Sequence, residues 1–352
     1  MNGVHGGEMP DDDRFAGMPD DEAPASARRF KVWTPAEIWA ELPAADYAIG
    51  GLLLKGNVAL VCAYGSSFKS WLEIDLLIAK ASGGKWLDMF DCEAGPVLLI
   101  DWESDDWEDR RRFQAVSRAR GIVGKVDGVH MISLPQFFFN SPDFEATITE
   151  LASQYKLICF DTLSAGSPGV EENDTSIAAG LNILKRLGPK TGCTFVVLHH
   201  SRKGIAGGGG DDRESVRGSG AIFNAVDVVL QLFKREDTGF LVKQTKARGG
   251  RAVDAFVVTV ENVASGGVLV KAVPLAAAEE QEQASVGSTI GHAKMRVLRI
   301  LATEKDLKSK NAIIRRAQGR RPTVINAIDE LLENGLIVHH AGHFRLASEV
   351  AD

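Results

Sequence analysis

Four short apolar runs constrain this chain more than anything else in it: VALVCA at 58–63, VLLI at 97–100, LICF at 157–160 and FVVL at 195–198. None of them alternates with polar residues, so each is suited to a strand buried on both faces. Between them lie 69–82, 105–120, 143–154 and 174–187, whose apolar residues recur at helical spacing. Buried strands separated by amphipathic helices predict an α/β fold with a mostly parallel central sheet covered on both sides. VHMISL near 129–134 adds a further strand. Each run ends in polar residues, and in such a sheet these ends share the edge where ligands bind. After the glycine-rich stretch 204–210, AVDVVLQLF, GFLVKQTK, AVDAFVVTVE and GVLVKAV follow with short turns. That spacing reads as antiparallel strands extending one edge of the sheet.

The flanks differ in composition. Residues 1–29 hold the acidic clusters Asp11-Asp12-Asp13 and Asp20-Asp21-Glu22 among Pro, Ala and Gly, a composition expected to be disordered. The compact region is expected over 30–274. Residues 275–290, LAAAEEQEQASVGSTI, are small and polar and read as a linker. A separate unit is expected over 291–348. The four cysteines, at 62, 92, 159 and 193, form no C-x-x-C pair and read as buried thiols of a reducing compartment. With no signal peptide or membrane-length apolar run, a cytoplasmic protein is expected. A net charge of −7 argues against a uniformly basic nucleic-acid coat, while leaving room for a local basic surface.

The first strand runs into AYGSSFKS, which has the layout of a phosphate-binding loop of the form G-x-x-x-x-G-K-[ST]. Ala63 and Phe68 stand where that pattern has glycines. Such a loop points backbone N–H groups into an anion-sized hollow, sends a lysine to the phosphates and offers a hydroxyl to Mg²⁺. Lys69 and Ser70 supply the last two, and Gly65, Ser66 and Ser67 keep the turn small. Phe68 and Trp71 complete the set of nucleotide-contact candidates. A positive φ at a non-glycine position 68 would cost about 1–2 kcal/mol. Charge-assisted phosphate contacts, at about 1.5–3 kcal/mol each, outweigh that. An ordinary strand–turn–helix with a surface lysine is the plainer reading of the loop alone.

The other strand ends supply matching chemistry. KLICFD places Asp161 at the end of a buried run, where a carboxylate needs a cation or donors, or else caps a helix. VLLIDWES places Asp101 and Glu103 at another end, with Glu103 the better candidate to orient or deprotonate an attacking water. TFVVLHHSRK ends on His199-His200, which suits a polar contact to a terminal phosphate better than zinc, since no third ligand has suitable spacing.

Taken in order, AYGSSFKS, LLIDWES, FDTLSAGSPGVEEND, VVLHHSRKG, VRGSGAIFNAVDVVLQL and KQTKARGG resemble the RepA-like branch of the RecA/DnaB ATPases, over roughly residues 45–260. The resemblance implies a RecA-like core that binds ATP and Mg²⁺ between subunits of a ring, expected to be a hexamer, moving along single-stranded DNA. It implies that Lys69 and Ser70 contact phosphate and Mg²⁺, that Asp161 is the second metal-shell residue and Glu103 the catalytic carboxylate. His200 or His199 becomes the phosphate sensor. Arg217, Lys246 and Arg248 resemble residues that reach a neighbouring subunit's γ-phosphate, with solvated surface charge as the plainer reading. The loop KGIAGGGGDDRES falls where the family faces DNA. Arg202 just before it and Lys203 are candidate contacts, although with Arg202 included the charges balance, and the loop has no aromatic residue for stacking.

Residues 292–348 carry eleven Lys/Arg against five acids, a net +6 within an acidic chain. HAKMRVLRILAT, KSKNAIIRRAQG and PTVINAIDELLENG have helical spacing, and LIVHHAGHFRLA reads as two short strands about a turn. Three helices and a hairpin predict a winged helix-turn-helix. Arg320, Arg321, Thr323 and Asn326 then open the third helix, where such folds meet a DNA major groove. Protein docking is the alternative use of that fold. The sequence thus predicts an ATP-driven DNA helicase or remodelling ring of phage, prophage or plasmid type. A non-motor ATP switch or recombination mediator, and a DNA-binding regulator with a decayed loop, remain as rivals.

Overall fold

A computed structural model describes residues 31–63, 68–171, 174–200, 220–235, 239–304 and 307–349, with residues 281–288 described in backbone only. The chain divides into two units, Met1–Ala45 and Asp46–Asp352. In the first, helix α1 (Pro35–Ile38) is started by a reciprocal cap between Thr34 and Glu37. Val32, Trp33, Ile38, Trp39 and Leu42 are exposed around it. The second unit begins at Asp46, inside the region expected over 30–274.

The second unit opens with a small hairpin, β1 (Tyr47–Ile49) and β2 (Leu53–Leu54), and continues through β3 (Val58–Ala63) into α2 (Lys69–Ser82). A second small hairpin, β4 (Lys85–Trp86) and β5 (Phe90–Asp91), precedes β6 (Val97–Asp101). Then come α3 (Asp106–Ala119), β7 (Val129–Ser133), α4 (Phe144–Gln154), β8 (Leu157–Asp161), α5 (Ala178–Thr191), β9 (Thr194–His200) and α6 (Gly220–Ala225). Four strands follow: β10 (Val228–Lys234), β11 (Phe240–Ala247), β12 (Phe256–Asn262) and β13 (Val268–Pro274).

These strands build a nine-stranded sheet in the order β13-β12-β11-β10-β3-β9-β8-β6-β7. From β10 to β7 every neighbouring pair is parallel. The antiparallel extension starts one strand later than its sequence suggested, because β10 lies parallel to β3 and only β11–β13 reverse. The β3 strand shows why its run has no polar alternation. Val58, Leu60 and Cys62 join an apolar layer with α4, α5 and α6. Ala59, Val61 and Ala63 join a second layer with α2. Both faces of the strand are therefore core. Gly188 lets α5 pass directly over the turn before β3; a Cβ there would lie 1.9 Å from the Gly56 carbonyl oxygen. All four cysteines are free and buried.

The stretch 275–290 is not an irregular linker. It forms the first half of one long helix, α7 (Leu275–Thr303). Its Ala, Glu and Gln residues are strong helix formers, so low apolar content did not mean loss of structure. No chain break in secondary structure marks the expected boundary near 290, and α7 packs on β12 and β13 as well as on the helices after it. These are α8 (Lys310–Arg316) and α9 (Arg321–Glu333), followed by the hairpin β14 (Ile337–His340) and β15 (His343–Leu346). Val297, Leu301, Leu307, Ile313, Val324, Ile328, Leu331 and Phe344 form their own apolar cluster. The hairpin turns on Ala341 and Gly342, both at positive φ. Among the described residues, no helix is long and apolar enough to cross a membrane.

Candidate nucleotide site

Four parallel strands deliver their last residues to one edge of the sheet. From β3 the chain passes through 64–67, which include the expected cradle residues Gly65, Ser66 and Ser67 and lie outside the described residues. It re-enters at Phe68, which takes the left-handed conformation, φ 57° and ψ 21°, as the residue before α2. Position 68 thus does have the backbone that glycine tolerates best. The Phe68 ring sits edge-on to Phe240 at the start of β11, with centroids 5.7 Å apart. That contact offsets part of the strain, at about 0.5–1.5 kcal/mol for such an aromatic pair.

Lys69 and Ser70 open α2 and face the other strand ends. The Ser70 hydroxyl donates to Asp161 Oδ2 at 2.6 Å. The Lys69 ammonium lies 3.4 Å from His200 Nδ1, and His200 Nε2 lies 3.6 Å from Glu103 Oε1. The Thr162 hydroxyl donates to the same Glu103 oxygen at 2.7 Å. Lys69, Ser70, Asp161, Glu103 and His200 therefore form one connected group, assembled from α2 and three strand ends. Its two histidine candidates separate, because successive side chains of β9 take opposite faces. His200 reaches the group, whereas His199 is fully buried.

Burial sets the charge state of the group. It pushes the Asp161 carboxyl up to about 7, helped by the neighbouring Asp101 carboxylate. It also lowers Lys69, against the pull of Asp161 and Glu103. Glu103 is lowered, first by its bond with His200, and keeps 43% of its side chain exposed. A carboxylate almost wholly buried beside a hydroxyl, with a further acid adjacent, is a hard-oxygen set short of positive charge. Such a set fits Mg²⁺, and Ser70 and Asp161 are the residues that would hold it.

The strand carrying Asp101 ends before Glu103. Asp101 is the last residue of β6, and Glu103 lies beyond it in a turn. Asp101 Oδ1 accepts the backbone N–H groups of Glu103 at 2.6 Å and Ser104 at 2.9 Å, which bends the chain there. Trp102 N–H donates to the Asp161 carbonyl at 2.8 Å and ties the turn to β8. Thr162 and Asp101 were under-read in the sequence, Thr162 because it works through a contact with a distant segment and Asp101 because its partners are backbone amides of its own turn. Glu73 was missed, although an acid one turn after Ser70 in the run WLEIDLLI was visible. It is buried, raised well above the ordinary carboxyl range by burial, and among the described residues its Oε1 has no hydrogen-bond partner.

The remaining candidates among the described residues are engaged elsewhere. Trp71 turns toward α3, where the Arg111 guanidinium stands 5.9 Å from its ring. The Lys246 ammonium donates to the Phe223 carbonyl at 2.6 Å and lies over that residue's ring. Arg248 pairs with Asp227 at 3.6 Å, and Asp227 also accepts from Val58 N–H. Lys246 and Arg248 are thus engaged within their own chain. Arg202, Lys203 and Arg217 fall outside the described residues. On α9, Arg320, Arg321 and Asn326 are exposed and Thr323 is half-buried, with Arg321 donating to Asn311 at 2.8 Å. Part of the basic charge nearby is matched, through Lys294 with Glu330, Lys310 with Asp329 and Arg316 with Glu304.

A lysine and hydroxyl opening a helix after a buried strand, opposite an aspartate that ends a parallel strand, define a P-loop ATPase built to bind ATP. The chain belongs to the AAA_25 family, described as an AAA domain, whose model matches residues 23–206, just over half of the chain. Among solved structures it is similar to a KaiC-like protein from the hyperthermophilic archaeon Pyrococcus horikoshii OT3. That match has 13% sequence identity and a TM-score of 0.43, and covers 65% of this chain and 99% of the other.

Proposed function

We propose that this protein is an ATP-hydrolysing, DNA-acting enzyme of the RepA-like helicase or DNA-remodelling type, working as an oligomeric ring. The connected group of Lys69, Ser70, Asp161, Glu103 and His200 carries the ATPase part of this reading. Lys69 binds the β and γ phosphates, and Ser70 with Asp161 holds Mg²⁺. The ion, when bound, neutralises phosphate charge. Glu103 orients a water in line with the γ-phosphate and takes its proton. His200 bridges Lys69 and Glu103, so it is placed to respond when phosphate draws the ammonium away.

The DNA part rests on separate grounds. The exposed Arg320, Arg321 and Asn326 stand at the start of α9, in a three-helix and hairpin unit that we read as a winged helix. Arg217, or Lys246 and Arg248 once released from their own-chain partners, would complete a neighbour's site. The RepA-like sequence motifs favour a hexamer and single-stranded DNA in its centre. A non-motor ATP switch is the second reading. The engagement of Lys246 and Arg248 within one chain favours it.

Single-stranded DNA separates the two readings. A motor hydrolyses ATP faster when the DNA is added and displaces a strand from a forked duplex. ATP turnover that ignores DNA, with no strand displaced, would leave the switch.

A further inference from the structure

We propose that Thr162 is a positioning residue for ATP hydrolysis, fixing which oxygen of Glu103 faces the reacting phosphate. This inference rests on the reading of Glu103 as the residue that activates water.

The geometry is specific to one oxygen. The Thr162 hydroxyl donates to Glu103 Oε1 at 2.7 Å, and His200 Nε2 lies 3.6 Å from that same Oε1. Among the described residues, no hydrogen bond or ion pair engages Oε2. A carboxylate hydrogen-bonded on one oxygen, with a second polar group beside that same oxygen, presents the other in a defined direction, which is what accepting a proton from water requires. Without the hydroxyl, Glu103 has two rotatable bonds beyond its Cβ and nearly half of its side chain exposed. It would then spread over several rotamers.

The hydroxyl is itself fixed. Thr162 is fully buried immediately after Asp161, and its Oγ1 accepts from the Ala165 N–H at 3.4 Å. With the lone pair turned toward residue 165, the proton is left for Glu103. The backbone of Glu103 is held independently, by the Asp101 carboxylate at 2.6 Å. Removing the hydroxyl therefore frees the carboxylate without moving the turn that carries it. The same contact joins two strand ends that otherwise reach the site separately: Asp161 beside the metal position, and Glu103 beside the water.

The test uses the full-length chain and compares Thr162→Val, Thr162→Ser and Glu103→Gln for kcat, KM for ATP and equilibrium binding of a fluorescent ATP analogue. Valine keeps the shape and loses the donor. Its kcat should fall about tenfold or more while KM and analogue binding stay within about twofold, since only the orientation of a reacting group is lost. Serine should restore turnover to within about threefold of the wild type, because it returns the hydroxyl. If Thr162→Val does not fold, Thr162→Ala carries the same expectation. Full kcat in the variant without the hydroxyl, alongside a Glu103→Gln enzyme that has lost turnover, would overturn the positioning role alone. Wild-type turnover in Glu103→Gln would instead remove the reading beneath it. An equal loss in valine and serine variants would make position 162 a packing requirement and also overturn the proposal.

Discussion

Asp101 and Asp161 end adjacent parallel strands as a register pair, yet their carboxylates serve different partners. Asp101 accepts two backbone amides of its own turn, from Glu103 and Ser104. Asp161 accepts the Ser70 hydroxyl from the helix after the phosphate loop. One carboxylate is spent on shaping the chain, and the other faces the position where a cation would sit.

Asparagine substitutions should therefore separate the pair. At 101, asparagine retains an oxygen for the same two amides, and Mg²⁺-dependent ATP turnover should stay within about tenfold of the wild type. At 161 the loss of negative charge should lower turnover roughly 10²-fold or more, the scale of several kcal/mol of metal-derived charge stabilisation. Initial rates across a Mg²⁺ titration check both. Equal sensitivity at the two positions would contradict the assignment.

Phe68 holds a left-handed backbone and a ring contact with Phe240 at once. Alanine would keep the backbone strain and lose the ring contact. Glycine would lose the contact but remove about 1–2 kcal/mol of strain. Phe68→Gly should consequently be the more stable of the two by about that amount in urea unfolding. It should also hydrolyse ATP at least as fast as the wild type, since glycine adopts the left-handed backbone of position 68 without strain.

Asp109, at the start of α3, is fully buried, accepts from the Ser133 hydroxyl at 2.6 Å and neighbours Asp101. Burial raises its carboxyl to about 7. Its folded pKa thus exceeds its unfolded value of about 4, so the folded chain holds the extra proton between those limits. Asp109 then removes stability as pH rises from about 4 through 7. Asp109→Asn, whose amide can still donate toward Asp101 and accept from Ser133, should show a smaller fall in unfolding midpoint between pH 5 and pH 8. Raised groups such as Asp161 remain in both proteins and cancel in the difference.

If α9 meets duplex DNA, charge removal at its start should weaken binding without touching the ATPase group. Arg320→Ala combined with Arg321→Ala should flatten the salt dependence of duplex affinity by about one to two counterions. ATP turnover without DNA should be unaltered. Fluorescence anisotropy over a salt series measures the slope, and an unchanged slope would move the DNA contact elsewhere.

The parts of the fold that depend on local pattern were legible in advance. The bounds of α2 follow from a lysine after a turn and a glycine at 83, and the apolar run of β3 announced a strand with core on both faces. What depended on distant partners was not. The Thr162–Glu103 bond joins residues 59 apart, and nothing near Lys246 in sequence points to the Phe223 carbonyl. The stretch 275–290 was misread for another reason. Small and polar residues suit both a linker and an exposed helix, and only packing on β12 and β13 distinguishes them. Asp101 was ranked below Glu103 because both were placed at one strand end, which hid the turn between them that carries Glu103.

The most direct test of the central claim is phosphate release from ATP by the purified full-length chain, measured beside Lys69→Ala. ATP hydrolysis at the group around Ser70 and Asp161 predicts Mg²⁺-dependent turnover that the alanine variant loses, with its fold intact by circular dichroism. Turnover equal in both proteins, or none in either under conditions where the wild type is folded and binds no nucleotide, would contradict it.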